Sequence, residues 1–345
     1  MIPIQNIYYM LSYAFQVLNE QGYKNIATEQ FNNTGELMAA ILEKGIAIQL
    51  KRGLGKEYIP QTEALSSLRG KIDIAESIKT QSMLRKQLIC TYDEFSVNSI
   101  MNRIIKSTVE LLLRSNISKQ RKKNLRKLMV YFSEVDFIDL YTVNWNVQYN
   151  RNNQTYRMLI SICYLVVKGL LQTQSNGHTK LMDFLDEQRM CRLYEKFILE
   201  YYRREFKNQI TANASQIPWQ LDNEENSMLP VMQSDIMLQS GEKVLIIDAK
   251  YYEHSTQVQF DKHTIHSGNL YQIFTYVKNK EYELREKDHT VSGMLLYAKT
   301  DEAIYPNNVY QMSGNQITVR TLDLNLPFDE IAGQLNTIAK THFDL

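Results

Sequence analysis

Apolar residues recur along this chain with two different periods, and the period changes from segment to segment. An interval of three to four residues is typical of an amphipathic helix, whereas alternation or a short apolar run bounded by turn residues is typical of a strand. The first pattern predicts helices over residues 4–19, 36–50, 75–80, 98–115, 155–172, 190–206, 270–278 and 327–342. The second pattern predicts strands over residues 58–60, 70–74, 88–92, 141–149, 231–238, 244–249, 291–298 and 316–322.

These elements predict two domains, an ordinary division for a chain of 345 residues. Residues 1–150 combine helices with short strands and predict a mixed α/β domain. The turn signal Asn152-Asn153 indicates the boundary. Residues 151–345 place predicted strands between helices, with extra elements, and this order predicts an α/β core. The chain as a whole is therefore assigned to the α+β or α/β class.

The stretch from Val231 to Lys250 predicts two strands joined by a tight turn, in which Gly241 takes a positive φ. Its second strand is a continuous apolar run that ends in Asp248. Because side chains alternate along a strand, Asp248 and Lys250 share one face. A hairpin also brings Asp235 alongside them. The sequence therefore predicts two carboxylates and one ammonium at the end of a buried sheet.

This combination of groups suits phosphodiester hydrolysis. Two aspartates can hold Mg²⁺, which polarises a phosphoryl oxygen and lowers the pKa of a bound water. Lys250 can orient that water or stabilise developing negative charge. The residues by themselves leave an alternative open, in which Asp248 and Lys250 are only an ion pair at a strand end and Asp235 lies in a turn.

Charge and composition narrow the choice of partners. The formal net charge is +1, so attraction to a polyanion must be local or supplied by another protein. The basic run Lys119–Lys127 is either a solvated helix face or a contact for DNA or a partner. Three widely spaced cysteines predict neither a disulfide framework nor a zinc site, and the longest apolar run, Met158–Leu171, is too short to span a membrane. We therefore expect a cytoplasmic protein with no membrane partner.

Two local motifs resemble those of known nucleases. Asp235…Asp248-Ala249-Lys250 resembles the PD-(D/E)xK nuclease motif, although Ser234 stands where that motif has proline. The segment from Gln272 to Tyr276 resembles the QxxxY helix of the RecB-like branch. The segments 2–14, 102–108 and 248–252 resemble McrC, the nuclease subunit of the McrBC modified-cytosine restriction systems. This resemblance extends over essentially the whole chain.

The resemblance implies a PD-(D/E)xK restriction-endonuclease-like core in residues 151–345. It also implies roles for particular residues. Asp235, Asp248 and the carbonyl of Ala249 would bind Mg²⁺. The catalytic set would be Asp235, Asp248, Lys250, Gln272, Tyr276 and Glu195. Glu200 is the second choice for the helix glutamate, and either glutamate can instead be an ordinary exposed carboxylate. Gln272 and Tyr276 share a helix face, but they can equally be solvated side chains.

The same resemblance implies DNA as substrate and McrB as partner, a GTP-hydrolysing AAA+ ring that residues 1–150 would dock into and stimulate. The chain has no GxxxxGK[ST] motif, so GTP would be bound by the partner. Two alternatives remain open. One is a stand-alone RecB-like nuclease of DNA repair or recombination. The other is a non-catalytic scaffold that activates an AAA+ ring.

Overall fold

The computed structural model describes residues 2–19, 23, 26, 29, 31, 33–150, 153, 155–175, 187–222, 228–252, 257–259, 262–299 and 305–345. The chain forms two compact units. One is Thr28–Asp183, and the other joins Met1–Ala27 to Phe184–Leu345. This partition differs from the division predicted at residue 150, because the first helix belongs with the C-terminal part of the chain and the later boundary falls at residue 183.

Each segment with a three-to-four-residue apolar period contains a helix. The described α-helices are α1 (Ile4–Ala14), α2 (Thr34–Arg52), α3 (Ile74–Lys79), α4 (Ile100–Arg114), α5 (Lys119–Met129), α6 (Tyr156–Ser175), α7 (Glu187–Glu205), α8 (Ser267–Leu284) and α9 (Phe328–Phe343). Helix α1 is shorter than predicted, because Phe15 adopts extended backbone angles and Gln16–Asn19 forms a 3-10 turn. In the described part of the chain, no helix is long and apolar enough to cross a membrane.

The described strands are more numerous than the sequence pattern predicts, and several of them are longer. They are β1 (Glu57–Leu65), β2 (Lys71–Asp73), β3 (Leu88–Ser96), β4 (Thr211–Asn213), β5 (Gln216–Ile217), β6 (Met232–Gln233), β7 (Ile236–Ser240), β8 (Lys243–Lys250), β9 (Gln257–Gln259), β10 (Lys262–Thr264), β11 (Thr290–Ala298), β12 (Asn308–Met312) and β13 (Asn315–Leu322). The strand predicted over Tyr141–Tyr149 is wrong. Its residues alternate in exposure, but no described strand pairs with them.

The unit Thr28–Asp183 combines helices with a three-stranded antiparallel sheet in the order β1-β3-β2. A buried polar network secures one end of this sheet, where the start of β1 pairs with the end of β3. The Asn102 side-chain amide donates to the carbonyls of Gly55, before β1, and Val97, after β3, at 2.9 and 2.8 Å. Tyr156 donates its hydroxyl hydrogen to Asn102 at 2.7 Å and accepts from the Gly55 amide at 2.7 Å. Because each partner is satisfied, the network is compatible with complete burial of Asn102.

The other unit is built on a mixed six-stranded sheet in the order β12-β13-β11-β8-β7-β4. Strands β8, β11 and β13 run parallel to one another, and the remaining neighbours pair antiparallel. Gly293 in β11 allows α8 to pack closely on the sheet, since a Cβ atom there would lie 2.8 Å from side-chain atoms of Ile273 and Val277. This close packing positions α8, with Gln272 and Tyr276, beside β8 and β11.

Helix α1 belongs to this unit because its aromatic side chains find their partners there. The rings of Tyr9 and Phe328 stack with centroids 4.5 Å apart, and Tyr13 contacts Phe197 at 5.6 Å. The Asn6 amide donates to the carbonyl of Leu324 at 2.7 Å. These partners lie more than 180 residues away in sequence, so the apolar period of α1 predicts burial but not what covers it.

Candidate active site

Asp235 lies between β6 and β7 and belongs to neither strand. The predicted strand 231–238 is interrupted, and β7 begins at Ile236, opposite Ile247 of β8. Asp235 therefore lies outside the backbone ladder, and its Oδ2 accepts a hydrogen bond from the Ala249 amide at 3.0 Å. The side chain thus takes the place of a missing strand partner. The predicted turn between β7 and β8 is confirmed, with Gly241 at φ 57°.

The serine that replaces the motif's proline has a structural role. The Ser234 amide donates to the carbonyl of Ser215 at 3.0 Å, and Ser234 is buried. A proline has no amide hydrogen and would lose this bond. The departure from the nuclease motif therefore supports the local backbone and leaves the position of Asp235 intact.

Asp248 and Lys250 lie on the same face of β8, as strand alternation predicts. The Lys250 ammonium is 2.8 Å from Oδ2 of Asp248, and Asp248 is only 1% exposed. This contact is a close, buried ion pair, and among the described residues no other group donates a hydrogen bond to Oδ2. Burial alone would lower the pKa of Lys250, but the negative charges of Asp248 and Asp235 outweigh it and raise that pKa above its usual value.

Gln272 and Tyr276 connect α8 to this ion pair. Lys250 donates to the Oε1 atom of Gln272 at 3.3 Å, and the Gln272 side-chain amide donates to the Tyr276 hydroxyl at 2.9 Å. The spacing of four residues puts both side chains on one face of the helix. The structure therefore brings the two predicted α8 residues into a chain of contacts that ends at Lys250.

Glu195 and Glu200 have different surroundings although both lie on α7. Glu195 accepts a hydrogen bond from the Cys191 thiol at 3.1 Å, and Lys250 and Asp248 are close enough to act on its charge. Burial raises the pKa of Glu195. Glu200 instead pairs with Arg203 at 2.8 Å. Of the two, Glu195 is the one that the structure brings to the aspartates.

Cys191 belongs to the site, and the sequence analysis did not single it out. Its sulfur lies 3.9 Å from the carbonyl oxygen of Ala249 as well as 3.1 Å from Glu195. Burial, followed by the proximity of Glu195, raises the pKa of the Cys191 thiol to about 12, so it is a neutral donor at ordinary pH. The available signal was its position four residues before Glu195 on one helix face.

Sequence reasoning also missed Asn269, which makes hydrogen bonds next to the site. Asn269, in the first turn of α8, donates to the Tyr297 hydroxyl at 2.9 Å and accepts from the Tyr252 hydroxyl at 3.3 Å. Tyr297 lies opposite Lys250 in the parallel pair of β8 and β11. The start of α8 is thus tied to β11 and to the segment that directly follows β8, and the pattern of apolar residues carries no signal for these contacts.

The acids of the site repel one another. Burial, then the charges of Asp248 and Glu195, raise the pKa of Asp235 to about 8, and Lys250 offsets this only in part. Among the described residues, no three His, Cys, Asp or Glu side chains form a ready-made metal cage. Mg²⁺ needs no such cage, since it commonly takes one or two carboxylates and retains waters. Two adjacent carboxylates that repel each other and share one ammonium therefore fit a hard divalent cation.

Fold and site together define an α/β protein with a mixed sheet that presents two aspartates and a lysine where a buried strand ends. The family model described as "McrBC 5-methylcytosine restriction system component" matches residues 5–298. The chain belongs to this family, which confirms the resemblance seen in the sequence. It is similar to "Type IV methyl-directed restriction enzyme EcoKMcrBC" of Escherichia coli (strain K12), with 30% identity over 329 residues that cover 94% of this chain and 93% of that relative.

Two solved structures from Thermococcus gammatolerans are also similar. A refined half-complex from a tetradecameric assembly of McrB AAA+ hexamers with bound McrC has 19% identity and a TM-score of 0.48, and the match covers 97% of this chain and 76% of that one. The cryo-EM structure of the McrBC complex has 23% identity and a TM-score of 0.43, with 59% of each chain covered. The family assignment rests on the sequence matches.

Proposed function

We propose that this chain is the DNA endonuclease subunit of a modified-cytosine-dependent restriction system. The observation that carries the proposal is the meeting of Asp235, Asp248 and Lys250 at the end of β8, where two buried acids share one ammonium. A buried pair of acids that one cation must compensate is costly, and such clusters are typical of functional sites. Membership of a restriction-system family supports DNA as the substrate.

The metal in this proposal is Mg²⁺, held by the carboxylates of Asp235 and Asp248 with help from the carbonyl of Ala249. When bound, it would supply Lewis acidity to a phosphate oxygen and acidify a water. Glu195, whose pKa the charge of Asp248 helps to raise, would add a third negative charge near the metal. Glu200 has no part in the proposal, because Arg203 engages it.

Lys250 would act as a fixed cation and not as a base. Its raised pKa keeps the ammonium protonated at neutral pH. An ammonium held between Asp248 and Gln272 can donate to the attacking water or to a charged phosphate oxygen. Gln272, braced by Tyr276, would limit the rotation of the lysine head group and so reduce the cost of orienting it in the transition state.

The proposed partner is a McrB-type AAA+ ring that binds and hydrolyses GTP and whose GTPase activity this chain stimulates. The Thermococcus gammatolerans assembly contains McrB AAA+ hexamers with bound McrC. The sequence contains no GxxxxGK[ST] motif, and its net charge of +1 gives little general attraction to DNA. Both properties are compatible with a nuclease that a motor protein delivers to DNA.

The proposal is tested by plasmid cleavage with Mg²⁺, using methylated and unmethylated DNA. The chain is assayed alone and together with the AAA+ protein encoded beside it and GTP. We expect cleavage only in the complete methylated reaction, and its loss in Asp248→Asn while stimulation of the partner's GTPase survives. Cleavage by the chain alone, without regard to methylation or GTP, would instead identify an autonomous nuclease. GTPase stimulation without any cleavage would identify a scaffold.

A further inference from the structure

Helix α5 gathers five cations on one of its sides. With 3.6 residues per turn, they fall within an arc of about 140° of the helix circumference. They are Lys119, Lys122, Lys123, Arg126 and Lys127. All are exposed except Lys122, which is half-buried. Over eight residue steps this basic face is about 12 Å long, at 1.5 Å per residue.

Three glutamates form ion pairs with this helix, all on the side opposite the basic face. Arg121 makes ion pairs with Glu29, Glu36 and Glu43 at 2.8, 3.4 and 2.8 Å. The fully buried Leu125 lies on the same side as Arg121. None of the five cations of the basic face belongs to an ion pair between described residues, and α5 itself contains no acid. The basic face therefore presents positive charge that its own unit does not neutralise.

This arrangement works against the helix that carries it. Lysine or arginine pairs recur at a spacing of four residues, and like charges at that spacing repel. Lys119, Lys122 and Lys123 also lie in the first turns, where the helix dipole disfavours cations. The Ser118 cap, which accepts from the Arg121 amide at 3.2 Å, offsets only part of this cost. A bound polyanion would relieve both unfavourable effects at once.

We propose that the basic face of α5 binds the sugar–phosphate backbone of duplex DNA. Duplex DNA carries one negative charge per roughly 1.7 Å of its axis, so a face of about 12 Å spans about seven phosphate charges, most of which five cations can neutralise. Four of the five are lysines, which act as point charges for phosphates, whereas arginine is the usual reader of bases. The contact would therefore hold DNA without reading its sequence. This inference rests on the proposed DNA-cleaving function and adds a holding surface in the unit Thr28–Asp183.

The test compares two variants of equal net charge in the full-length chain. The first is Lys119→Gln/Lys123→Gln/Arg126→Gln, and the control is Lys51→Gln/Arg52→Gln/Lys71→Gln, which also changes three exposed cations. Fluorescence anisotropy with a labelled 30-base-pair duplex gives Kd over a range of salt concentrations. For the α5 variant we expect Kd to rise at least about tenfold at low salt, and the slope of log K against log salt to shrink by about 2.7, or 0.9 per lost phosphate contact.

The control variant should bind within about twofold of the wild type, and the α5 variant should unfold at no lower temperature, because repulsion has been removed. Equal weakening by both variants, unchanged affinity in the α5 variant, or a wild type that does not bind the duplex would each overturn the proposal. Loss of AAA+ assembly with DNA affinity intact would also overturn it, in favour of an acidic protein surface.

The two proposals fail separately. Asp248→Asn should bind the duplex as the wild type does. If the complete system binds DNA through α5 but never cuts it, the nuclease function fails and this surface remains. If it cuts DNA normally with the α5 variant at every salt concentration, the surface fails and the nuclease function remains.

Discussion

The ammonium of Lys250 lies 2.8 Å from Oδ2 of Asp248, two residues earlier on the same strand. The positive charge of Lys250 therefore attracts the same carboxylate that a metal ion bound by Asp248 would attract. In the proposed site, the lysine and a divalent cation would share the negative charge of the two aspartates. How they share it determines several measurable properties of the site.

Removing the charge of Lys250 should separate metal binding from catalysis. In Lys250→Gln we expect Mg²⁺ to bind more tightly, because the aspartates lose a competing cation. Cleavage in the complete system should fall by about 10²–10³-fold, the usual loss for one transition-state donor. Isothermal titration with Mg²⁺ and plasmid cleavage measure the two effects. Weaker metal binding together with normal cleavage would remove Lys250 from the proposed role.

The two glutamates of α7 provide a matched pair. Glu195→Gln should reduce cleavage at least about tenfold and raise the Mg²⁺ concentration needed for half-maximal rate, since one negative charge near Asp248 is lost. Glu200→Gln should leave both quantities within about twofold, because it breaks only an ion pair with Arg203 that is partly exposed. The opposite ranking in cleavage assays over a Mg²⁺ titration would show that the wrong glutamate has been assigned to the site.

The pKa of Asp235 predicts how stability depends on pH without metal. In the folded protein this pKa is about 8, whereas in the unfolded chain it is near its ordinary value of 3.8. Between those values the folded state holds a proton that the unfolded state has lost. Its contribution to stability is therefore fully present below about pH 4 and lost as the pH rises through 8.

Urea unfolding at pH 5, 6, 7 and 8 with a chelator present should show this fall. The fall should be smaller in Asp235→Asn and unchanged in Asp288→Asn, a control at an exposed position. Added Mg²⁺ should stabilise the wild type more at pH 8 than at pH 6, since binding must displace the proton. A flat profile in the wild type would contradict the repulsion between the acids.

Close packing at Gly293 predicts that adding one methyl group there harms both stability and activity. Gly293→Ala would push Ile273 and Val277 away and shift α8. We expect a loss of about 1–3 kcal/mol in the free energy of unfolding and reduced cleavage as Gln272 moves from Lys250. The matched control is Gly333→Ala on α9, where an added Cβ meets nothing within 4 Å. Stability there should rise by up to about 1 kcal/mol. Equal effects at the two glycines in urea unfolding would refute the packing argument.

Much of the site is local in sequence and was therefore predictable. Asp235, Asp248 and Lys250 belong to one hairpin, so strand alternation and a glycine turn suffice to bring them together. Gln272 and Tyr276 share a helix face for a similarly local reason. The contact between Gln272 and Lys250 was not local, since it depends on how closely α8 packs on β11.

Only the tertiary structure decided the rest, because those features depend on the relative rotation of elements far apart in the chain. The sequence places Glu195 and Glu200 on one helix, but the packing of α7 on the sheet determines which one reaches Asp248. In the same way, α1 is visibly apolar from its sequence, yet its partner Phe328 lies more than 300 residues away. Local patterns thus determined the hairpin and the chemical types of the site residues. Long-range packing decided which further side chains join them, since burial free energy is non-directional and does not specify a partner.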